Sequence, residues 1–260
     1  MFARRSLCLL PLFLGTTALA AGAPVADPDP NRFSEQIESF EEWDSKNAVP
    51  AKPVLFVGSS SIRLWRTRKS FPDLPVINRG FGGSHISDVI HFVDRIVLPY
   101  RPEVIVFYAG DNDVAGGKSP LRVFGDYCRF VAMVHAAMPE TRFVFITIKP
   151  SGRRWSLWPD MKEANDLIRS FSQGNERLFF ADLATPLLGG DGQPMDRLFL
   201  DDRLHLNAQG YAAWTRALRP VLEKALGRRE QAPSKIKEQK ANSKIEDVIA
   251  ALRRFHIFGF

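Results

Sequence analysis

The stretch VLFVGSSSIRLW, residues 54–65, passes from four apolar residues through a glycine and three serines into a segment of helical character. An unbroken apolar run closed by glycine reads as a strand buried on both faces, the kind found inside parallel sheets. Similar runs recur at 104–108 (VIVFY) and 143–148 (FVFITI), with shorter candidates at 75–78 and 178–182. Helical spacing fills the intervals, around 61–69, 86–97, 120–137, 160–172 and 208–226, and Phe33, Ile37 and Phe40 share one face of an earlier short helix. Strand and helix in strict alternation predict an α/β fold, a parallel sheet with helices on both sides.

In such folds ligands bind beyond the carboxyl ends of the strands, so the polar turns there carry the functional weight. They are GSSS (58–61), RGFGGSH (79–85), AGDND (109–113) and KPSGRRW (149–155). Taken alone, the three serines favour helix capping. The nucleophile elbow G-x-S-x-G fails because Ile62 stands at its second glycine. GGKS (116–119) ends like a phosphate loop, but the first glycine of that motif would fall on Asn112. A serine nucleophile needs a base. His85, His91 and His135 lie in or at the start of helical segments, and His256 in the tail. His205 differs: it follows the last strand, Asn207 is placed to cap the next helix, and Asp202 stands three residues earlier, within reach of its Nδ1. A developing oxyanion needs donors, which the glycines of GFGGSH and the amide of Asn112 offer, although the glycines also suit a turn and DND an Asx turn. Zinc finds too few ligands near His205, and Asp111 and Asp113 lack the spacing of a calcium loop.

Charge removes another class of partner. Of the formal +6, two units come from Arg4 and Arg5, and from Ala225 onward eight Lys/Arg face four Asp/Glu, so residues 21–224 are neutral. A neutral body has no basic footprint for nucleic acid. MFARRSLCLLPLFLGTTALA (1–20) has a basic start, a short apolar run and a small-x-small ending, which predicts an export signal cut near Ala20 and a periplasmic or extracellular product. Cleavage leaves Cys128 as the only cysteine, with no disulfide partner, and its helical position predicts packing. Residues 21–49 read as a Pro/Ala spacer and helix, 50–226 as the domain, and 227–260 as a polar linker before a short amphipathic segment. In that segment Ile245, Val248, Ile249, Leu252 and Phe255 keep helical spacing, suited to packing on the body or, less so, to a membrane or partner contact.

The blocks VGSSS, NRGFGGS, AGDND and DDRLHLN, in this order and strand context over about residues 50–222, make the chain resemble the SGNH hydrolases, the GDSL esterase/lipase family. Within it the chain looks most like bacterial lysophospholipase-like and platelet-activating-factor-acetylhydrolase-like esterases. The resemblance implies a three-layer α/β/α sandwich around a five-stranded, mainly parallel, flavodoxin-like sheet, and ester hydrolysis with no cofactor. By motif, Ser60 matches the nucleophile, with Ser61 left to cap. The N–H groups of Ser60 and Gly83 and the amide of Asn112 match the oxyanion hole, and His205 matches the base, oriented by Asp202. Two positions depart from the family: Ser59 and Ser84 stand where an acidic residue is usual. The expected substrates are short-chain acyl or lysophospholipid-like esters. A rival is an O-acetyl esterase or acetyltransferase of polysaccharide, for which Trp155 and Trp158 in RRWSLW offer indole faces. A non-catalytic binding module on the same scaffold is the third reading.

Overall fold

The computed structural model describes residues 25–228. The export signal with its cleavage point, and the apolar pattern of 245–255, fall outside the described residues. Five strands, β1 (Val54–Gly58), β2 (Val76–Gly80), β3 (Val104–Tyr108), β4 (Arg142–Ile146) and β5 (Leu178–Ala181), form one sheet in the order β2-β1-β3-β4-β5. Every pairing is parallel, so the sheet expected from the alternation is present in the flavodoxin-like order.

Side-chain alternation along the strands divides the core into two. Leu55, Val57, Ile105, Phe107, Phe143 and Phe145 face one helical layer, built from α1 (Ser34–Lys46), α4 (Ile86–His91), α5 (Val93–Ile96), α7 (Pro120–Ala137) and α8 (Trp158–Ser172). Val54, Phe56, Val104, Val106, Tyr108 and Val144 face the other, where α2 (Ser60–Arg63), α3 (Thr67–Ser70) and α9 (Ala208–Ala225) lie. Both faces of β1 and β3 are fully buried, which is why their sequences show no polar alternation.

Two expected helices are each broken in two. The segment 61–69 breaks after Arg63 because Trp65 turns into the core, 2% exposed, and the Asn78 amide of β2 donates to the carbonyls of Ile62 and Trp65. The segment 86–97 breaks at Phe92, itself buried. The turn AGDND is no Asx turn: Asp111–Ala115 form a short helix, α6, entered through Gly110 at φ +120°. The N-terminal segment is tied to the body, Asp27 pairing with Lys118 and Arg122, Arg32 with Asp88, and α1 burying Ile37 completely. Among the described residues no helix is long and apolar enough to cross a membrane.

Candidate active site

Gly58 decides where the serines stand. Its φ is +136°, and a Cβ there would lie 1.9 Å from the Tyr108 carbonyl oxygen, so only glycine fits at the end of β1. The close approach lets Ser59 N–H donate to the Tyr108 carbonyl at 2.9 Å, and the chain turns at once into α2 with Ser60 as its first residue. Ser59 occupies the N-cap position, but its side chain accepts no capping bond. Ser61 lies inside the helix and does not cap it, contrary to expectation, because α2 begins one residue before it; its carbonyl instead accepts the Tyr211 hydroxyl at 2.9 Å.

On the facing loop, Phe199 and Leu206 form an antiparallel bridge, and Leu200 N–H donates to the His205 carbonyl at 2.8 Å. Asn207 accepts from Gln209 and Gly210 at the start of α9, the expected cap, while its Nδ2 donates to the Arg197 and Phe199 carbonyls. The turn so fixed brings His205 Nε2 to 3.1 Å from Ser60 Oγ and His205 Nδ1 to 2.5 Å from Asp202 Oδ2. The other oxygen of Asp202 accepts the backbone N–H groups of Leu204 and His205, both at 2.9 Å. Burial pushes the Asp202 carboxyl up, but the bonds from His205 and these N–H groups outweigh it and hold it at about 2. Ser60 is 9% exposed.

Gly83 lies on the loop after β2 at φ +84°, with no heavy atom within 4 Å of where a Cβ would stand. Asn112, in the first turn of α6, donates its amide to the Ser84 carbonyl at 3.1 Å and accepts from Arg154 at 3.0 Å. The turns after β1, β2 and β3 thus carry Ser60, Gly83 and Asn112, and the loop before α9 carries Asp202 and His205. The hydroxyls of Ser59, Ser61 and Ser84 are buried with no hydrogen-bond partner among the described residues.

Trp155 and Trp158 stack with centroids 6.2 Å apart and planes 14° apart. Trp158, the first residue of α8, also packs on the core, whereas Trp155 is half-buried next to Arg154. Among the other histidines, His135 Nε2 lies 2.8 Å from the Thr141 carbonyl and His85 starts α4 half-buried, its ring held below the ordinary histidine value by burial and by Lys118. Lys118 of GGKS faces inward, its charge taken up by Asp27, Asp113 and Asp126.

Sequence reasoning passed over Lys149 and Arg154. Lys149 Nζ lies 3.1 Å from Asp111 Oδ2 and 3.1 Å from the Tyr108 hydroxyl, and Arg154 Nη1 lies 3.2 Å from the same Asp111 oxygen. A lysine set directly after the apolar run FVFITI, at the carboxyl end of a central strand, was the one available signal.

The sequence model of the GDSL-like lipase/acylhydrolase family matches residues 61–213, beginning one residue past Ser60. Among solved structures, one from Streptococcus pneumonia bearing the name of platelet activating factor superposes with a TM-score of 0.65 at 18% identity, over 74% of this chain and 93% of its own. A GDSL-like lipase from Bacteroides thetaiotaomicron gives 0.62 at 21% identity, over 73% and 98%. A catalytic mutant of an acetylxylan esterase from Geobacillus stearothermophilus gives 0.53 at 14%, over 66% and 95%. No curated protein sequence matches the chain. At these identities the superpositions establish the fold, the α/β sandwich expected from the sequence.

Proposed function

The chain belongs to the GDSL-like lipase/acylhydrolase family, a family of ester-hydrolysing enzymes, and on that premise we propose that it is an exported serine esterase acting through Ser60, His205 and Asp202. The observation that carries this reading is the unbroken line from Ser60 Oγ through His205 to the Asp202 carboxylate. His205 Nε2 takes the Ser60 proton as Oγ attacks the ester carbonyl carbon. The carbonyl oxygen, now negative, is held by the N–H groups of Ser60 and Gly83 and the Asn112 amide, each such donor being worth about 10²–10³ in rate. His205 returns the proton to the leaving alcohol oxygen as the C–O bond breaks. It then takes a proton from water, whose oxygen attacks the acyl-enzyme, and gives it back to Ser60 as the carboxylic acid leaves. Asp202, ionised through the neutral range, fixes the His205 tautomer and stabilises the imidazolium.

For the acyl part, support comes from a groove of about 810 Å³ whose lining includes Leu64, Leu200, Leu206 and Tyr211. Its lining mixes these apolar residues with Arg66, Lys69 and Arg216, and it borders the chain on either side of the pair, Leu64 four residues after Ser60 and Leu206 next to His205. Short-chain acyl or lysophospholipid-like esters suit it. A second reading, removal of acetyl from polysaccharide, rests on the stacked Trp155–Trp158 pair, whose indole faces suit a sugar ring. The test is hydrolysis of p-nitrophenyl esters graded by chain length, beside acetate release from acetylated xylan, by wild type and Ser60→Ala. Loss of turnover in the variant by at least about 10³-fold is expected. Retention of most of the wild-type rate refutes the assignment, and turnover confined to acetylated xylan selects the second reading.

A further inference from the structure

Behind Asn112 lies a buried set of charges that the acyl-transfer steps do not use. Asp111 is paired at one oxygen with Lys149 and with Arg154, and the lysine and aspartate side chains are 1% and 3% exposed. Burial pushes the Asp111 carboxyl up, yet the charges of Lys149 and Arg154 outweigh it and hold it below the usual carboxylate range. Two cations therefore face one carboxylate, the lysine and aspartate buried and the Arg154 side chain 19% exposed. Arg154 reaches it from a kink: its φ of −117° and ψ of 25° depart from the surrounding 3₁₀ turn, Gly152–Leu157. Ser151 Oγ accepts its N–H at 3.3 Å, and Arg153 N–H donates to the Arg203 carbonyl at 3.1 Å, joining this segment to the turn that carries His205.

We propose that Arg154 is a positioning residue for the oxyanion hole, fixing which way round the Asn112 carboxamide stands and adding positive charge behind its Nδ2 donor. The inference rests on the esterase reading above. A guanidinium only donates, so the Asn112 atom 3.0 Å from it is Oδ1; the Ser84 carbonyl only accepts, so the atom facing it is Nδ2. A flipped amide would set donor against donor and acceptor against acceptor. In the orientation so fixed, one Nδ2 proton is taken by Ser84 and the second has no acceptor among the described residues. Arg154 on Oδ1 also polarises the amide and strengthens that N–H as a donor. The gain is largest when the substrate oxygen carries a full negative charge, so it falls on kcat and not on KM.

The experiment is a double-mutant cycle: Arg154→Met in the wild-type and Asn112→Ala backgrounds, with kcat and KM for p-nitrophenyl acetate and a thermal melt of each protein. Arg154→Met should lower kcat roughly 10–100-fold with KM within about threefold, and Arg154→Lys should restore part of the loss. In the Asn112→Ala background the same change should cost less than about threefold, because the amide through which it acts is gone. A kcat within about twofold of wild type, or equal losses in both backgrounds, overturns the inference. Should Arg154→Met fail to fold, the cycle is run with Arg154→Lys, which keeps a charge on Asp111. Failure of the wild type to hydrolyse any ester, or survival of turnover in Ser60→Ala, overturns the esterase reading itself. Wild-type turnover with an additive cycle overturns only the role of Arg154.

Discussion

Lys118→Met should destabilise the protein more than any other single change to a charged side chain outside the site, and in a pH-dependent way. The Lys118 side chain has no exposed surface, and its Nζ lies 2.8, 2.9 and 3.0 Å from carboxylates of Asp27, Asp113 and Asp126. Asp113, also without exposed surface, accepts the Ile86 N–H at the start of α4, so the lysine holds α6 and the loop after β2 in one register. Methionine fills a similar volume but leaves the buried Asp113 without its lysine, while Asp126 and Asp27 keep Arg122. Breaking a buried pair from one side costs about 3–5 kcal/mol. For a domain of this size that is a fall in Tm of roughly 6–20 °C. Burial already pushes the Asp113 carboxyl up to about 6 against the pull of Lys118, and the variant moves it higher. A carboxyl whose folded value lies above its unfolded value contributes stability below the unfolded value and loses it as pH rises through the folded one. The penalty of Lys118→Met should therefore be large at pH 7.5 and shrink toward pH 5. Adding Asp113→Asn, which can still accept from Ile86, should recover part of the loss at pH 7.5. Thermal melts of wild type and both variants at the two pH values check this. A Tm unchanged at pH 7.5, or a penalty that grows on acidification, refutes the reasoning.

Three further outcomes are expected. Asp202→Asn should cut kcat by more than about tenfold but less than the roughly 10⁴-fold found where such an aspartate is fully buried, because this carboxylate is 41% exposed. With Asp202 held at about 2, its stabilising contribution is complete above the unfolded value and is lost as pH falls through about 2, so the Tm difference between the two proteins should vanish there. Gly58→Ala should cost more than about 3 kcal/mol or prevent folding, given the 1.9 Å clash with the Tyr108 carbonyl; a melt within a few degrees of wild type would show that β1 and β3 separate easily.

What was legible in the sequence followed burial. The strands VLFVG and VIVFY announce themselves because both faces are covered, and α7 fell on the expected residues because Ser119 caps it and Pro120 opens it. What was illegible depends on partners distant in the chain. The break after Arg63 is set by Asn78 on another strand, and nothing within 61–69 reports it. Asp202 and His205 stand three residues apart and could be paired on sight, but Ser60 lies 145 residues away and no local spacing selected it over Ser59 or Ser61. Arg154 was hidden for the same reason: an arginine between an arginine and a tryptophan reads as surface until Asp111 and Asn112 are found beneath it.

The strand order carries a consequence for which half of the site can vary. From β1 the chain goes to β2 on one side and returns to β3 on the other, so the turns after β1 and β3 diverge and open a crevice at their carboxyl ends. Ser60 and Asn112 stand on its two walls. Ser60 is fixed by backbone: the Gly58 turn, the Ser59 bond to Tyr108, and a sheet with no exposed side chain in β1 or β3. His205 hangs from a surface turn held by hydrogen bonds, with Arg203 at φ +54° and Leu200 48% exposed. A change in the 200–206 turn therefore moves His205 together with Leu200 and Leu206 while leaving Ser60 in place. A change after β1 or β3 moves Ser60 or Asn112 at the cost of the core. Adaptation to a new ester is cheapest on the loop that carries His205, and the groove lined by Leu200 and Leu206 lies where that adaptation would act.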